Sequence, residues 1–308
     1  MTKPLISVLI LSYNHGQFIK DALDSISLNR SSEYELEIIV IDDGSTDESI
    51  SILEAFQAEE ILPIKLVKKK HEGVRAVARN FNELIALAKG KYISFLASDD
   101  SYTQNRFISQ MSLMECNEEV VLCYANGVNV ISGVKAGVVH PAREVALLCS
   151  HDSARLYQYV INNIPSLFIQ SVLVRSDFVK SFKPFDDDLI ADDWVFNIRV
   201  FKEISLRGLS FRFVSQVVFE RNIHSENTSR NTRVHFERVC QVIQRYCNCE
   251  AGLLERAVFG SMLQCIRNKE FNDFSFYFKK LNLSAKLPFI AMSWMYSLAK
   301  NKFAKLFG

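Results

Sequence analysis

Two adjacent carboxylates, Asp99 and Asp100, close the short apolar run Tyr92-Ile93-Ser94-Phe95-Leu96-Ala97-Ser98. A run this rich in strand formers reads as a buried strand that delivers charge at its carboxyl end. That is the edge where an open parallel sheet takes its ligands. Two like charges resist burial unless a cation or several donors offset them, so a hard divalent metal carrying a phosphate suits the pair. By itself the pair is better explained by a solvated turn with an Asp as helix cap. Three other strand ends carry comparable chemistry: Ser12-Tyr13-Asn14, Asp42-Asp43-Gly44-Ser45 and His71-Glu72-Gly73-Val74-Arg75. Singly, these are a turn, a cap and the trailing edge of a solvated Lys68-Lys69-Lys70 run; together they describe one polar crevice.

The elements that must position these loops follow from periodicity. Strands are expected over 6–11, 37–41, 64–67, 92–96 and 120–124, and helices over 17–28, 45–60 and 74–88. The helix at 45–60 opens with Ser45-Thr46-Asp47-Glu48, the pattern of a capping box. Strands alternating with helices imply parallel pairing through right-handed crossovers, with helices on both faces. The fold class is α/β, a doubly wound, mostly parallel nucleotide-binding sheet. Asp43 is suited to accept the imide N–H of a uracil or thymine, and Tyr13 offers a flat face for stacking.

The stretches Ser7 to Asn14, Ile39 to Asp47, Ala78-Arg79-Asn80 and Gly90 to Asp100 resemble the successive motifs of family-2 inverting glycosyltransferases with the GT-A fold. The resemblance covers roughly residues 5–230 and implies a nucleoside-diphosphate sugar donor with Mn²⁺ or Mg²⁺; the fit of Asp43 to an imide, which thymine shares, puts UDP first. It places Ser12, Tyr13, Asn14, Asp43, Arg79, Ser98 and Asp99 around the nucleotide and makes Asp100 the metal-binding carboxylate. Such a cation would bridge the two phosphates and neutralise the leaving nucleoside diphosphate. One departure is Ala97, where the family often carries an acid. Arg79 is equally a solvated helical residue by its own pattern.

Further on, Asp192-Asp193-Trp194 resembles the family's acceptor-side motif, which implies a general base at Asp193 with Asp192 as its runner-up. Without the resemblance both residues read as charges at a helix N-terminus. Phe219 to Ser229 resembles the segment in which a His completes the metal shell or contacts the diphosphate; that position is His224. The polar, glycine-punctuated stretch 126–140 is expected to form a hairpin or loop over the crevice, 152–163 a helix and 171–174 a strand. His140 and His151 read as ordinary surface residues.

A chain of 308 residues with 48% hydrophobic and 23% charged content can bury a large core, and a net charge of +1 gives no case for nucleic acid. The cysteines are scattered and odd in number, without zinc spacing, as in a reduced cytosolic protein. No apolar run spans a bilayer, and the N-terminal run 5–11 lacks a signal-peptide pattern. Asn227-Thr228-Ser229 therefore carries no meaning as a glycosylation acceptor. The expected organisation is a GT-A domain over 1–231, with a nucleotide-sugar half at 1–125 and an acceptor half at 126–231, followed by a helical region at 232–308.

Beyond Asp273 there is no acidic residue, while Lys279, Lys280, Lys286, Lys300, Lys302 and Lys305 flank the aromatic stretch 287–299. A basic, aromatic amphipathic helix suits an anionic membrane surface at the cytoplasmic face. The alternatives are packing on the core or on a second subunit of a homo-oligomer. The acceptor implied is a glycan or lipid-linked glycan. The rival class is a non-catalytic nucleotide-sugar-binding or membrane-scaffolding protein of the same fold. A sugar-1-phosphate nucleotidyltransferase would need a Gly-rich phosphate loop that Ser12-Tyr13-Asn14-His15-Gly16 does not supply.

Overall fold

The β-branched and aromatic runs at the start of the chain form parallel strands separated by amphipathic helices. These are β1 (Leu5–Ser12), α1 (Gly16–Ser27), β2 (Glu35–Asp42), α2 (Ser49–Ala58), β3 (Ile64–Lys68), α3 (Val77–Leu87) and β4 (Tyr92–Ala97). The computed structural model describes residues 3–190, 193–224, 232–247, 250–268 and 271–280. Asp192, Cys249, the Asn227-Thr228-Ser229 triplet and the basic aromatic stretch 287–299 lie outside the described residues.

Register decides where the loops go. Ser12 pairs with Asp42, Asp42 with Lys68, and Leu11 with Ala97, so the first four strands end flush. Their loops consequently emerge side by side at one sheet edge. Alternation along each strand separates two packed faces. Ile6, Val8, Ile10, Tyr92 and Leu96 pack with Ile19, Leu23 and Ile26 of α1 on one face. Phe95 points the other way, into a cluster with Phe81, Phe185 and Phe196 at ring separations of 6.1, 6.3 and 5.6 Å. Full burial of each such aliphatic side chain is worth about 1.5–3 kcal/mol.

The remainder of this unit comprises β5 (Ser101–Tyr102), α4 (Ile108–Glu115), β6 (Val120–Ile131), β7 (Val134–Val138), α5 (Ala142–Cys149), α6 (Ser153–Asn162), β8 (Val172–Arg175), α7 (Ser176–Lys180), α8 (Asp193–Arg207) and β9 (Ser210–Ile223). The sheet order is β3-β2-β1-β4-β8-β6-β9-β5, with β7 against β6. The strand expected at 120–124 does not join β4: β8 lies between them, antiparallel to both. It also runs on to Ile131, across the 125/126 point, because it pairs with β9 along its length. Residues 126–140 do contain a hairpin, turning at Ser132 and Gly133, whose φ angles of 50° and 78° suit a tight two-residue turn.

Arg106 is the largest fully buried side chain and joins the two halves of the sheet. Its guanidinium donates to Ser94 Oγ (2.9 Å), Val172 O (2.9 Å), Gln170 O (3.2 Å) and Gln110. It lies over the rings of Tyr102 and Phe107, 4.9 and 5.0 Å from their centroids. A buried cation tolerated by carbonyls and aromatic faces, rather than by a carboxylate, leaves the local acids to the site.

The chain divides into two compact units, residues 1–227 and 228–308. The second contains α9 (Thr232–Tyr246), α10 (Glu250–Asn268) and α11 (Phe271–Lys280) around a small cluster of Val258, Met262, Cys265 and Tyr277. No helix among the described residues is long and apolar enough to cross a membrane.

His140 departs from its expected surface position. It is fully buried, 6.2 Å from the rings of Tyr124 and Phe168, and neither ring nitrogen has a hydrogen-bond partner among the described residues. Burial pushes its pKa down to about 4. The unfolded chain therefore takes up this proton first, so stability falls as pH drops from about 6.5 toward 4, by about 3 kcal/mol in all. In urea titrations, wild type is expected to lose about 2 kcal/mol more than His140→Leu between pH 7 and pH 4.5.

Candidate functional site

Loop one is built against loop two. Asn14, at φ 52°, accepts from Thr46 N–H (2.8 Å) through Oδ1, and its own N–H donates to Ser45 Oγ (2.8 Å). Asp42 folds the second loop locally, taking the Gly44 and Ser45 amides on Oδ1 (3.1 and 2.8 Å) and the Ser45 hydroxyl on Oδ2 (2.7 Å). This overturns the expected capping box. Ser45 is committed to Asp42 and Asn14, and α2 starts at Ser49 with no side-chain cap. Asp47 and Ser49 also serve α1, accepting the Gly16 and His15 amides at 2.8 and 2.9 Å, while Asp47 Oδ1 takes the Ser49 amide at the start of α2 (3.0 Å).

Asp43 faces the crevice with both carboxylate oxygens engaged. Oδ1 accepts from Asn80 Nδ2 (3.2 Å) and Oδ2 from His71 Nδ1 (2.8 Å). His71 Nδ1 also meets Asp43 O at 3.0 Å; since both partners are acceptors, Nδ1 carries the proton. The His71 ring stacks on Tyr13, 3.9 Å between centroids and 9° from parallel. Asn80 is itself oriented by Lys69 Nζ, 2.9 Å from its Oδ1. His71 and Asn80 are site residues that motif reading quoted without a role. The signal for Asn80 was its burial-compatible place on α3; His71 had none beyond its loop.

Gly44 makes this junction possible. Its φ is +80°, and a Cβ there would lie 2.6 Å from His71 N. Arg79 does not enter the pocket: its guanidinium pairs with Glu72 (2.5 Å) at an exposed position.

The opposite side of the crevice is organised by Asp99 and Asp100. Asp100 is 4% exposed, and burial, then the neighbouring Asp99 charge, hold its pKa well above the usual carboxylate range. Oδ1 accepts from Asn222 N–H (2.9 Å) and Oδ2 from Gln170 Nε2 (3.2 Å). Asn222 Nδ2 also donates to Asp99 O (2.8 Å), and His224 Nε2 lies 3.0 Å from Asp99 Oδ2. The reach is set by β5, which follows Asp100 directly and pairs Ser101 with Glu220 of β9.

Ser98 Oγ donates to Leu11 O (3.1 Å) and so accepts from His15 Nδ1 (2.6 Å). This orients a second imidazole, 6.4 Å from that of His224. Ser12 Oγ is buried and has no partner among the described residues. His15 is thus a further site residue that the sequence presented only as a loop neighbour.

Asp193, the first residue of α8, meets this group through one 3₁₀ turn, Ile169–Ser171. Its Oδ1 lies 3.5 Å from Ile169 N–H, at the long end of a hydrogen bond, while the next residue in that turn is Gln170, on Asp100. Helix α8 is fixed by Trp194 Nε1 on Val160 O (2.7 Å) and Asn197 Nδ2 on Leu167 O (3.0 Å). The segment before it is tied to α3 by Asn82, which donates to Phe185 O (3.0 Å) and Asp187 (2.7 Å).

Paired carboxylates, two imidazoles and an unpartnered buried hydroxyl are a donor set that suits a divalent cation carrying phosphate oxygens. Among the described residues, however, no three His, Cys, Asp or Glu side chains already form a closed metal cluster.

The family model for glycosyl transferase family 2 matches residues 7–165. The chain belongs to glycosyl transferase family 2. GlyG of Streptococcus pneumoniae serotype 4, named a glycosyltransferase, is 35% identical over 101 residues, 33% of this chain and 32% of its own. The uncharacterized glycosyltransferase MG060 homolog of Mycoplasma pneumoniae is 38% identical over 110 residues, 36% of each chain. The match thus spans about a third of these curated relatives.

Solved structures share the fold. Staphylococcus aureus TarS 1-349 in complex with UDP-GlcNAc superposes with a TM-score of 0.60 at 15% identity, covering 92% of this chain and 77% of that one. The mannosyltransferase PcManGT of Pyrobaculum calidifontis, in complex with GDP-Man and Mn²⁺, gives 0.59 at 14% identity, covering 97% and 81%. This family-2 chain has the GT-A fold. The family match ends before Asp193 and His224, whose association with the strand-end loops comes from tertiary contacts.

Gly44→Ala is expected to lower stability by about 2–3 kcal/mol, because it combines a left-handed backbone with displacement of His71. Gly133→Ala, at a similar φ of +78° with nothing within 4 Å, is the reference and should cost only about 1–2 kcal/mol. Urea unfolding of the two variants measures the difference.

Proposed function

We propose that the protein is an inverting glycosyltransferase that moves one sugar from a nucleoside-diphosphate donor, UDP first, to a hydroxyl of a glycan or lipid-linked acceptor. The setting fits surface-glycan assembly at the cytoplasmic face of a membrane. The observation that carries this reading is the single 3₁₀ turn linking Asp193 to Asp100 through Ile169 and Gln170. It supports a reading in which Asp193 acts as base beside the diphosphate end of a nucleotide crevice.

Family membership supports the reaction class. A fold neighbour in complex with UDP-GlcNAc, and another with GDP-Man and Mn²⁺, support a nucleotide-sugar donor and a metal.

Asp43 and Tyr13 would select and stack the base, and Asp99 would face the ribose. Asp100, with His224, would hold Mn²⁺ or Mg²⁺, which when bound neutralises charge on the departing diphosphate. Asp193 takes the proton of the acceptor hydroxyl while that oxygen bonds to the anomeric carbon. The bond from that carbon to the diphosphate oxygen breaks with its electron pair on the diphosphate, and configuration inverts.

A panel of nucleotides, each with and without Mn²⁺, tests the donor side by thermal stabilisation. UDP or a UDP-sugar should raise Tm in the presence of the metal, and Asp100→Ala should abolish the metal-dependent part. In transfer assays Asp193→Asn should lower kcat at least ~100-fold while donor Kd changes less than about threefold. An unchanged kcat would remove Asp193 as the base.

A further inference from the structure

The space over Tyr13 and Asp43 is filled by a ring of the protein itself. The His71 imidazole lies flat on Tyr13 at 3.9 Å and gives an in-plane N–H to Asp43 Oδ2 at 2.8 Å. Those are the two contacts that a uracil or thymine would make with the same residues. No base fits between rings 3.9 Å apart, and the other Asp43 oxygen is held by Asn80. A base can therefore use this face of Tyr13 and Asp43 Oδ2 only after the imidazole leaves.

From this we infer that His71 is an internal mimic of the nucleotide base, which occupies the base pocket when no donor is bound and competes with it. The inference rests on the base-pocket reading above.

The surroundings say how the ring moves. The His71 backbone is pinned against Gly44 and its side chain is 41% exposed, so rotation about the side-chain bonds carries the ring out to solvent without moving the loop. The resident imidazole also keeps the nearly buried Asp43 carboxylate, 8% exposed, paired in the free protein. Competition of this kind belongs to the free protein alone. It multiplies the apparent affinity of every base that uses the pocket by the same factor, the fraction of molecules with the ring displaced.

Binding of UDP and dTDP to wild type, His71→Ala and Asp43→Asn, followed by calorimetry with Mn²⁺, tests this. The expectation for His71→Ala is roughly three- to tenfold tighter binding, by the same factor for both nucleotides. In wild type, the imidazole protons of His71, shielded by the Tyr13 ring and assigned by their loss in His71→Ala, should move downfield as UDP saturates the protein. Equal or weaker binding to His71→Ala, or His71 resonances that stay shielded at saturation, would overturn the mimic and make His71 a bystander or a direct base contact. If instead Asp43→Asn binds UDP as wild type does, the base-pocket reading itself fails, and the mimic with it.

Discussion

A carboxylate buried at the end of a central strand, next to a second one, is the constraint around which this protein is built. Asp100 cannot be left there unsupported, because desolvation and the adjacent Asp99 both oppose its charge. Its support comes from two distant parts of the chain, Gln170 in the turn before β8 and Asn222 at the end of β9. Those parts reach it because β8 inserts beside β4 and β9 returns to pair with β5. Arg106 fastens the same region from beneath by donating to Gln170 O and Val172 O. The whole second half of the sheet is therefore needed to hold one carboxylate at this strand end.

The crevice has two layers of polar residues, and they do different work. Asn14, Asp42, Ser45, Asp47 and Ser49 satisfy backbone groups and lock adjacent loops together. Asp43, His71, Tyr13, Asp99 and His224 face the space those loops enclose. In a strand-end loop the first layer is as necessary as the second, since unpaired amides at a buried edge would cost more than the ligand contacts return.

Much of this was legible in the chain itself. The flush parallel strands follow from short apolar runs with regular helical spacers, and the amphipathic spacing of Ile19, Leu23 and Ile26 matches the buried face of α1. Tyr13, Asp43, Asp99 and Asp100 were candidates by residue type at strand ends, and the register of β1, β2 and β4 brings their loops to one edge. Ser45-x-x-Glu48 misled because a capping pattern reports local preference, whereas Asp42 and Asn14 offered the Ser45 hydroxyl better partners.

The sequence by itself determined the strand and helix alternation, the edge at which chemistry gathers and the residue types available there. Periodicity and turn chemistry are local properties, and both survive without knowledge of the partners. Only the tertiary structure decided that β8 would reverse between β4 and β6, that Asp193 would stand one turn from Asp100, that His140 would be buried with no hydrogen-bond partner among the described residues, and that His71 would lie on Tyr13. Each of these joins segments separated by tens of residues, and their positions are set by strand register and core packing, which no local pattern encodes.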